Sequence, residues 1–182
     1  VGKRGFKAIL MAGHVMRPIE AAGSPRHATW LDHLGIDSLH DYDPVWQRCL
    51  ELRVAPAFHS GGMGWGSRNS VNNYMFNHIG HFAAAGEATC KSLFMAGVTH
   101  RFPELRFAFL EGGTAWAVNL YNDLIGHWRK RNREDVGRYD PRRIDLGLMG
   151  TLFREHGGRV LERLDGGTLD ALIAPMAESQ EA

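Results

Sequence analysis

The chain has 182 residues, 44% of them hydrophobic, and a formal net charge of +1. These values suit one folded domain of ordinary size and are too apolar for a disordered chain. Near-neutral charge gives no general pull toward nucleic acid or an anionic membrane, and no apolar run approaches the roughly 18–20 residues that would span a bilayer.

Gly5–Ala12, GFKAILMA, reads as a buried strand closed by Gly13 and His14. Val15–His40 carries Pro18, Gly23, Pro25 and Gly35 at short intervals. That spacing predicts a long irregular excursion with a short helix over Ala28–Leu34, and loops of that length usually serve a site. Asp43-Pro44 opens a helix, with Asp43 as cap and Pro44 in the first turn. Val45, Cys49, Leu50 and Leu52 form its expected buried stripe. Val54–Phe58 is a second strand, in which Pro56 predicts a sheet edge or a bulge. The run stops at His59, and Ser60–Trp65 forms a loop holding three glycines.

Asn72–Ala96 predicts one long helix or two short ones, with Met75, Ile79, Phe82, Ala83, Gly86, Cys90, Leu93 and Phe94 at helical spacing and Gly97 as its stop. Glu104–Leu110 is a third strand, ending in Glu111, Gly112 and Gly113. Thr114 caps a helix through Trp128, with Trp116, Leu120, Leu124 and Trp128 on one face. The basic cluster Arg129, Lys130, Arg131 and Arg133 solvates its end and complements the helix dipole. After a break at Arg138–Pro141, Leu146–Leu164 is helical with an interruption at Gly157-Gly158. Thr168–Ile173 starts another turn, and the tail AESQEA reads as frayed. Cys49 and Cys90 lie far apart and form no Cys-x-x-Cys, so a reducing, cytoplasmic setting fits. The start VGKRGFKAIL lacks the three-part pattern of a signal peptide.

The alternation of strands and helices predicts a single α/β domain of parallel β-α units. His59 and Glu111 then share the carboxyl rim of the sheet, where such folds carry their sites. An imidazole there can bind a divalent metal or move protons near neutral pH. A carboxylate ending an apolar strand can ligate a metal or act as general base; the alternative is a salt-bridged or helix-capping residue. Gly112 and Gly113 could turn backbone N–H groups toward an anion. His78 and His81, three apart, could share a helix face, although no His-Glu-x-x-His occurs. His14 is a weaker counterpart of His59. His27, His33, His40, His100, His127 and His156 are expected to be structural or exposed. Trp65 and Trp116 could wall a pocket. No nucleophile elbow, P-loop or dinucleotide fingerprint is present.

The segments AFHSGGMGWGS, GVTHRFPELRFAFLEGGTAW and LIGHWRKRN resemble the amidohydrolase-related family of the metal-dependent hydrolase superfamily. This is the branch containing aminocarboxymuconate-semialdehyde decarboxylase, and the resemblance covers roughly residues 5–165. It implies a (β/α)8 TIM-type barrel with a divalent metal, usually zinc, at its carboxyl mouth. Gly5–Ala12, Val54–Phe58 and Glu104–Leu110 would be about the fourth, fifth and sixth barrel strands. His59 matches the family's metal-ligand histidine, and Glu111 stands where many members place a second histidine. The family's His-x-His pair occurs nowhere in this chain. With a start at Val1 and three clear strands, an internal fragment of a longer enzyme is the expectation, a barrel needing about 250 residues.

The expected activity is that of a metal-dependent hydrolase or decarboxylase acting on a small carboxylate-, amide- or ester-bearing molecule. His59 would bind the metal, Glu111 would position or deprotonate a reactant, and His78 and His81 would line the mouth. The alternative is a non-enzymatic, degenerate barrel segment that binds a small acid or a partner chain, its open sheet edges favouring association with a second copy. A flavodoxin-like open sheet would fit the alternation alone.

Overall fold

The computed structural model describes residues 2–159 and 169–181. The ends of the expected Leu146–Leu164 and Thr168–Ile173 elements fall in 160–168, outside the described residues. The chain divides into two compact units, residues 1–122 and 123–182.

The first unit is built on a parallel sheet of three strands, β1 (Ala8–Met11), β4 (Ala55–Phe58) and β5 (Ala108–Phe109), in the order β1-β4-β5. Strands consecutive along this sheet are joined through helices, as the alternation predicts. The paired segments are shorter than the apolar runs that announce them, and the sheet is open among the described residues. β1 is an edge strand, so Leu10 is 71% exposed rather than buried. β4 is the central strand, so the edge position inferred from Pro56 is wrong. The N–H groups of Ala55 and His59 donate to β1, at Lys7 O and Met11 O. By alternation Pro56 faces β5, whose pairing begins only at Ala57 opposite Ala108. No ladder donor is therefore missing.

The expected excursion is ordered. β2 (Val15–Pro18) and β3 (Thr29–Asp32) pair antiparallel, Val15 opposite Asp32, so the expected short helix over Ala28–Leu34 is replaced by a four-residue strand and its flanks. Pairing brings Arg17, Tyr42 and Asp32 together around one fully buried carboxylate. Arg17 Nε (2.8 Å), the Tyr42 hydroxyl (2.7 Å) and Ser38 Oγ (3.0 Å) donate to Asp32 Oδ2, and Leu34 N donates to Oδ1 (3.1 Å). The last bond is an Asx turn that holds Leu34 at φ 63°. Burial pushes the Asp32 carboxyl up, but Arg17, Tyr42, Leu34 and Ser38 together outweigh it and leave it below the usual carboxylate value.

Helix α1 (Asp43–Leu52) has Pro44 in its first turn, as expected. Asp43 does not cap it. Tyr42 occupies the cap without a side-chain bond, and Asp43 accepts a two-pronged bond from Arg101 at 2.7 and 2.8 Å. The buried face carries Trp46 and Cys49, while Val45 is exposed. Trp46 thus belongs to the core with Val54, Phe58, Leu93, Val98, Phe102 and Leu105. Phe107 meets Trp46 edge-on and stacks on Phe58.

The 72–96 region forms two helices, α2 (Tyr74–His78) and α3 (His81–Met95), split by Gly80 at φ 74°. The buried face of α3 is His81, Ala85, Gly86, Thr89, Ser92 and Leu93, whereas Met75, Ile79 and Phe94 are exposed. Of the apolar stripe Gly86 and Leu93 are buried as expected, and small polar residues that bind backbone groups after the strands complete the face. Thr89 Oγ1 donates to Gly13 O (2.9 Å), and Ser92 Oγ accepts from Ile36 N (2.9 Å). Gly97 is left-handed at φ 71° and starts α4 (Val98–Arg101). α5 (Ala115–Arg131) follows; of its expected stripe Leu120 is buried, while Trp128 is 70% exposed.

In the second unit, Asn132 caps α6 (Arg133–Val136) and Asp145 caps α7 (Leu146–His156) through side-chain bonds. The tail is not frayed. α8 (Leu169–Glu181) continues through it past Pro175, where Met176–Glu181 are mostly strong helix formers. No helix among the described residues is long and apolar enough to cross a membrane.

The buried carboxylate gives a first prediction. Asp32→Asn should lower stability by about 2–4 kcal/mol at pH 7, because Arg17 loses its counter-charge and the new amide NH2 faces groups that donate to Asp32. The folded pKa of Asp32 is depressed, so its stabilisation is complete above the unfolded value of about 3.9 and is lost as pH falls through the folded value. Urea unfolding across pH 2–7 should show this acid loss in the wild type and a flatter limb in the variant.

Candidate functional site

The β4–β5 pairing sets Phe58 opposite Phe109, and Leu110 N donates to Phe58 O at 2.9 Å. The next side chains on the carboxyl rim are His59 and Glu111. Their Nε2 and Oε1 atoms lie 2.9 Å apart, a hydrogen bond in which the imidazole N–H donates. The His59 side chain is 34% exposed and that of Glu111 62%, so the pair faces solvent. The structure therefore brings together the two residues that the strand ends single out.

Glu111 is held at φ 60°. A side chain in this left-handed region costs about 1–2 kcal/mol, which glycine avoids. Two glycines follow it, yet the strained position is occupied by the carboxylate. Leu34, Asp37 and Arg53 share this conformation, but of the four only Glu111 ends a strand of the parallel sheet beside a histidine. Gly112 has its own reason: a Cβ there would lie 2.9 Å from Trp116 Nε1 and 3.2 Å from Ala83 Cα. Trp116 packs edge-on against Phe109 and so seats this turn.

His78 and His81 join the same rim. Their ring centroids are 4.5 Å apart, and Tyr74 stacks on His78 at 5.2 Å. Phe82 lies between them and the dyad, 3.9 Å from His81 and edge-on to His59 at 4.8 Å. His81 is buried, with neither ring nitrogen hydrogen-bonded. Burial lowers its pKa, His78 and Arg68 add to the effect, and Glu111 opposes it. His81 is thus a neutral imidazole beside the dyad. The loop glycines permit this: a Cβ on Gly61 would fall 2.9 Å from His81 Nδ1, and Gly62 N donates to His81 O.

His14 and Trp65 stand apart from these residues. They pack with His33, which the sequence places among structural or exposed histidines; the ring centroids are 5.0–5.9 Å apart. The missed residues, Asp32 and His33, end and follow a strand hidden by the Gly and Pro spacing. Trp30 and Leu31 are adjacent apolar residues and Asp32 and His33 adjacent polar ones, so no period-2 pattern marks this strand in the sequence. Among the described residues no group of three or more His, Cys, Asp or Glu is placed to bind a metal.

Comparison with protein-family models, with curated proteins and with solved structures finds no match to this chain.

The strain at Glu111 is testable without knowing a substrate. Glu111→Gly and Glu111→Ala delete the same carboxylate, but only glycine relaxes at φ 60°. Denaturant unfolding should find Glu111→Gly more stable than Glu111→Ala by about 1 kcal/mol; equal stabilities would refute the strain.

Proposed function

We propose that the chain carries part of the active site of a metal-dependent hydrolase or decarboxylase for a small carboxylate-, amide- or ester-bearing molecule. The observation that carries this reading is the solvent-facing His59–Glu111 pair on one rim of a parallel sheet. The fold reading goes with it: β1, β4 and β5 would be three consecutive strands of a (β/α)8 barrel.

The residues fit two positions in the shell of a divalent metal such as zinc. Nitrogen and oxygen ligands about 2.0–2.1 Å from one ion stand roughly 3.3 Å apart, close to the 2.9 Å seen between His59 Nε2 and Glu111 Oε1. Bound there, the metal would supply Lewis acidity, lowering the pKa of a water or polarising a substrate carbonyl or carboxylate. His59 Nε2 would give up its proton to become a ligand. Glu111 Oε2 is the atom that would take a proton from the reactant. Phe82 would exclude water from one side, His78 would orient the substrate through a ring N–H group, and the buried His81 would hold His78 and Phe82 in place.

The open sheet supports a second reading. Among the described residues the outer edge of β1 has no strand beside it, and Leu10 is exposed, which suits a non-enzymatic segment that binds a small acid or a partner chain.

Zinc titration of the purified chain tests the first reading. His59→Ala and Glu111→Gln should each lose the same zinc equivalent, with affinity at that site falling at least tenfold. Unchanged stoichiometry in both variants would remove them from any metal site. Size-exclusion chromatography of the same samples separates the readings, since a zinc-free oligomer that binds small acids supports the second.

A further inference from the structure

The Ser60–Trp65 loop has a second group of imidazoles on its other side. His14 follows β1 and His33 follows β3, and their ring centroids are 5.9 Å apart. Trp65 stands edge-on to both, at 5.0 and 5.5 Å. His14 Nδ1 and His33 Nε2 are buried and have no hydrogen-bond partner. Buried polar atoms are rarely left so, and two in contacting rings need a reason.

We propose that His14 and His33 form a second cation site, for a borderline divalent ion such as zinc, roofed by Trp65. Three observations carry it. The first is distance. Two imidazoles with nitrogens about 2.0–2.1 Å from a shared ion place their centroids roughly 5–6.5 Å apart, and 5.9 Å lies inside that span. A direct bond between the rings would bring them closer.

The second is the tautomer of His33. Its Nδ1 lies 3.1 Å from Leu31 O, and a carbonyl only accepts, so Nδ1 carries the proton and Nε2 the lone pair. A metal-ligating histidine commonly has its other ring N–H held in this way by a carbonyl. Burial also keeps both rings neutral, the ligating form.

The third is access. A cleft of about 470 Å³, lined by Trp30, Ile36, Asp37, Lys91 and Met95, reaches His33 from one side, while His14 and Trp65 lie outside its lining. Asp32 next door is committed to Arg17, Tyr42, Ser38 and Leu34, so it does not neutralise the ion. Two neutral nitrogens favour zinc, copper or nickel over calcium or magnesium, which prefer oxygen. With no third side chain in reach among the described residues, water or a small anion completes the shell.

The test is zinc titration of the full chain, read by nitrogen NMR of the histidine rings. His14 Nδ1 and His33 Nε2 signals should shift together, before those of the exposed His27 and His100. His59→Ala should leave this response intact, which separates it from the His59–Glu111 site. His14→Asn should raise the zinc concentration that shifts His33 at least tenfold. The proposal fails if His14 and His33 respond no earlier than the exposed histidines, or if His33 responds equally in His14→Asn. The first readout uses the unaltered protein, so it does not depend on a variant folding.

Discussion

The site depends on two rungs of parallel pairing, Ala57 with Ala108 and Phe58 with Phe109. A parallel ladder delivers the ends of both strands to the same rim, and one further bond, Leu110 N to Phe58 O, fixes how far along they meet. A slip of one residue would turn one side chain to the opposite face of the sheet. Register therefore places His59 against Glu111, and the core beneath them, Phe58 on Phe107 and Phe107 on Trp46, holds the register.

Small residues then let the surrounding groups approach. Gly61 and Gly62 lie against His81, and Gly112 lies against Trp116 and Ala83. Gly13 is closed in by Ser60 and Thr89, and its N–H donates to the Ser60 hydroxyl. Each glycine marks a place where two elements meet with no room for a side chain. Two histidine clusters share this framework: His59, His78 and His81 lie around Phe82, and His14 and His33 around Trp65. Both use burial to keep a histidine neutral, at His81 on one side and at His14 and His33 on the other.

Strand ends were the most legible part of the sequence. An apolar run that stops at a single imidazole, and another that stops at a carboxylate before two glycines, announce their residues without tertiary information. The region 15–40 was opaque because Pro18, Gly23 and Pro25 read as breaks, whereas Pro18 ends one strand of a hairpin and Gly23 and Pro25 lie in its loop. The buried carboxylate of Asp32 followed from that pairing, and single-sequence periodicity cannot show it. The face of α3 was legible only at Gly86 and Leu93, because Thr89 and Ser92 are buried by hydrogen bonds rather than by apolarity. Pro56 misled because the rule against proline in a central strand presumes a neighbour at every rung.

The central claim is that His59 and Glu111 act as one ligand pair on this rim. Crystals of the chain grown with zinc, with anomalous diffraction collected at the zinc edge, test it most directly. The account predicts a peak roughly 2.0–2.2 Å from both His59 Nε2 and Glu111 Oε1. A fully occupied zinc bound elsewhere, with these two atoms still hydrogen-bonded to each other, would contradict it.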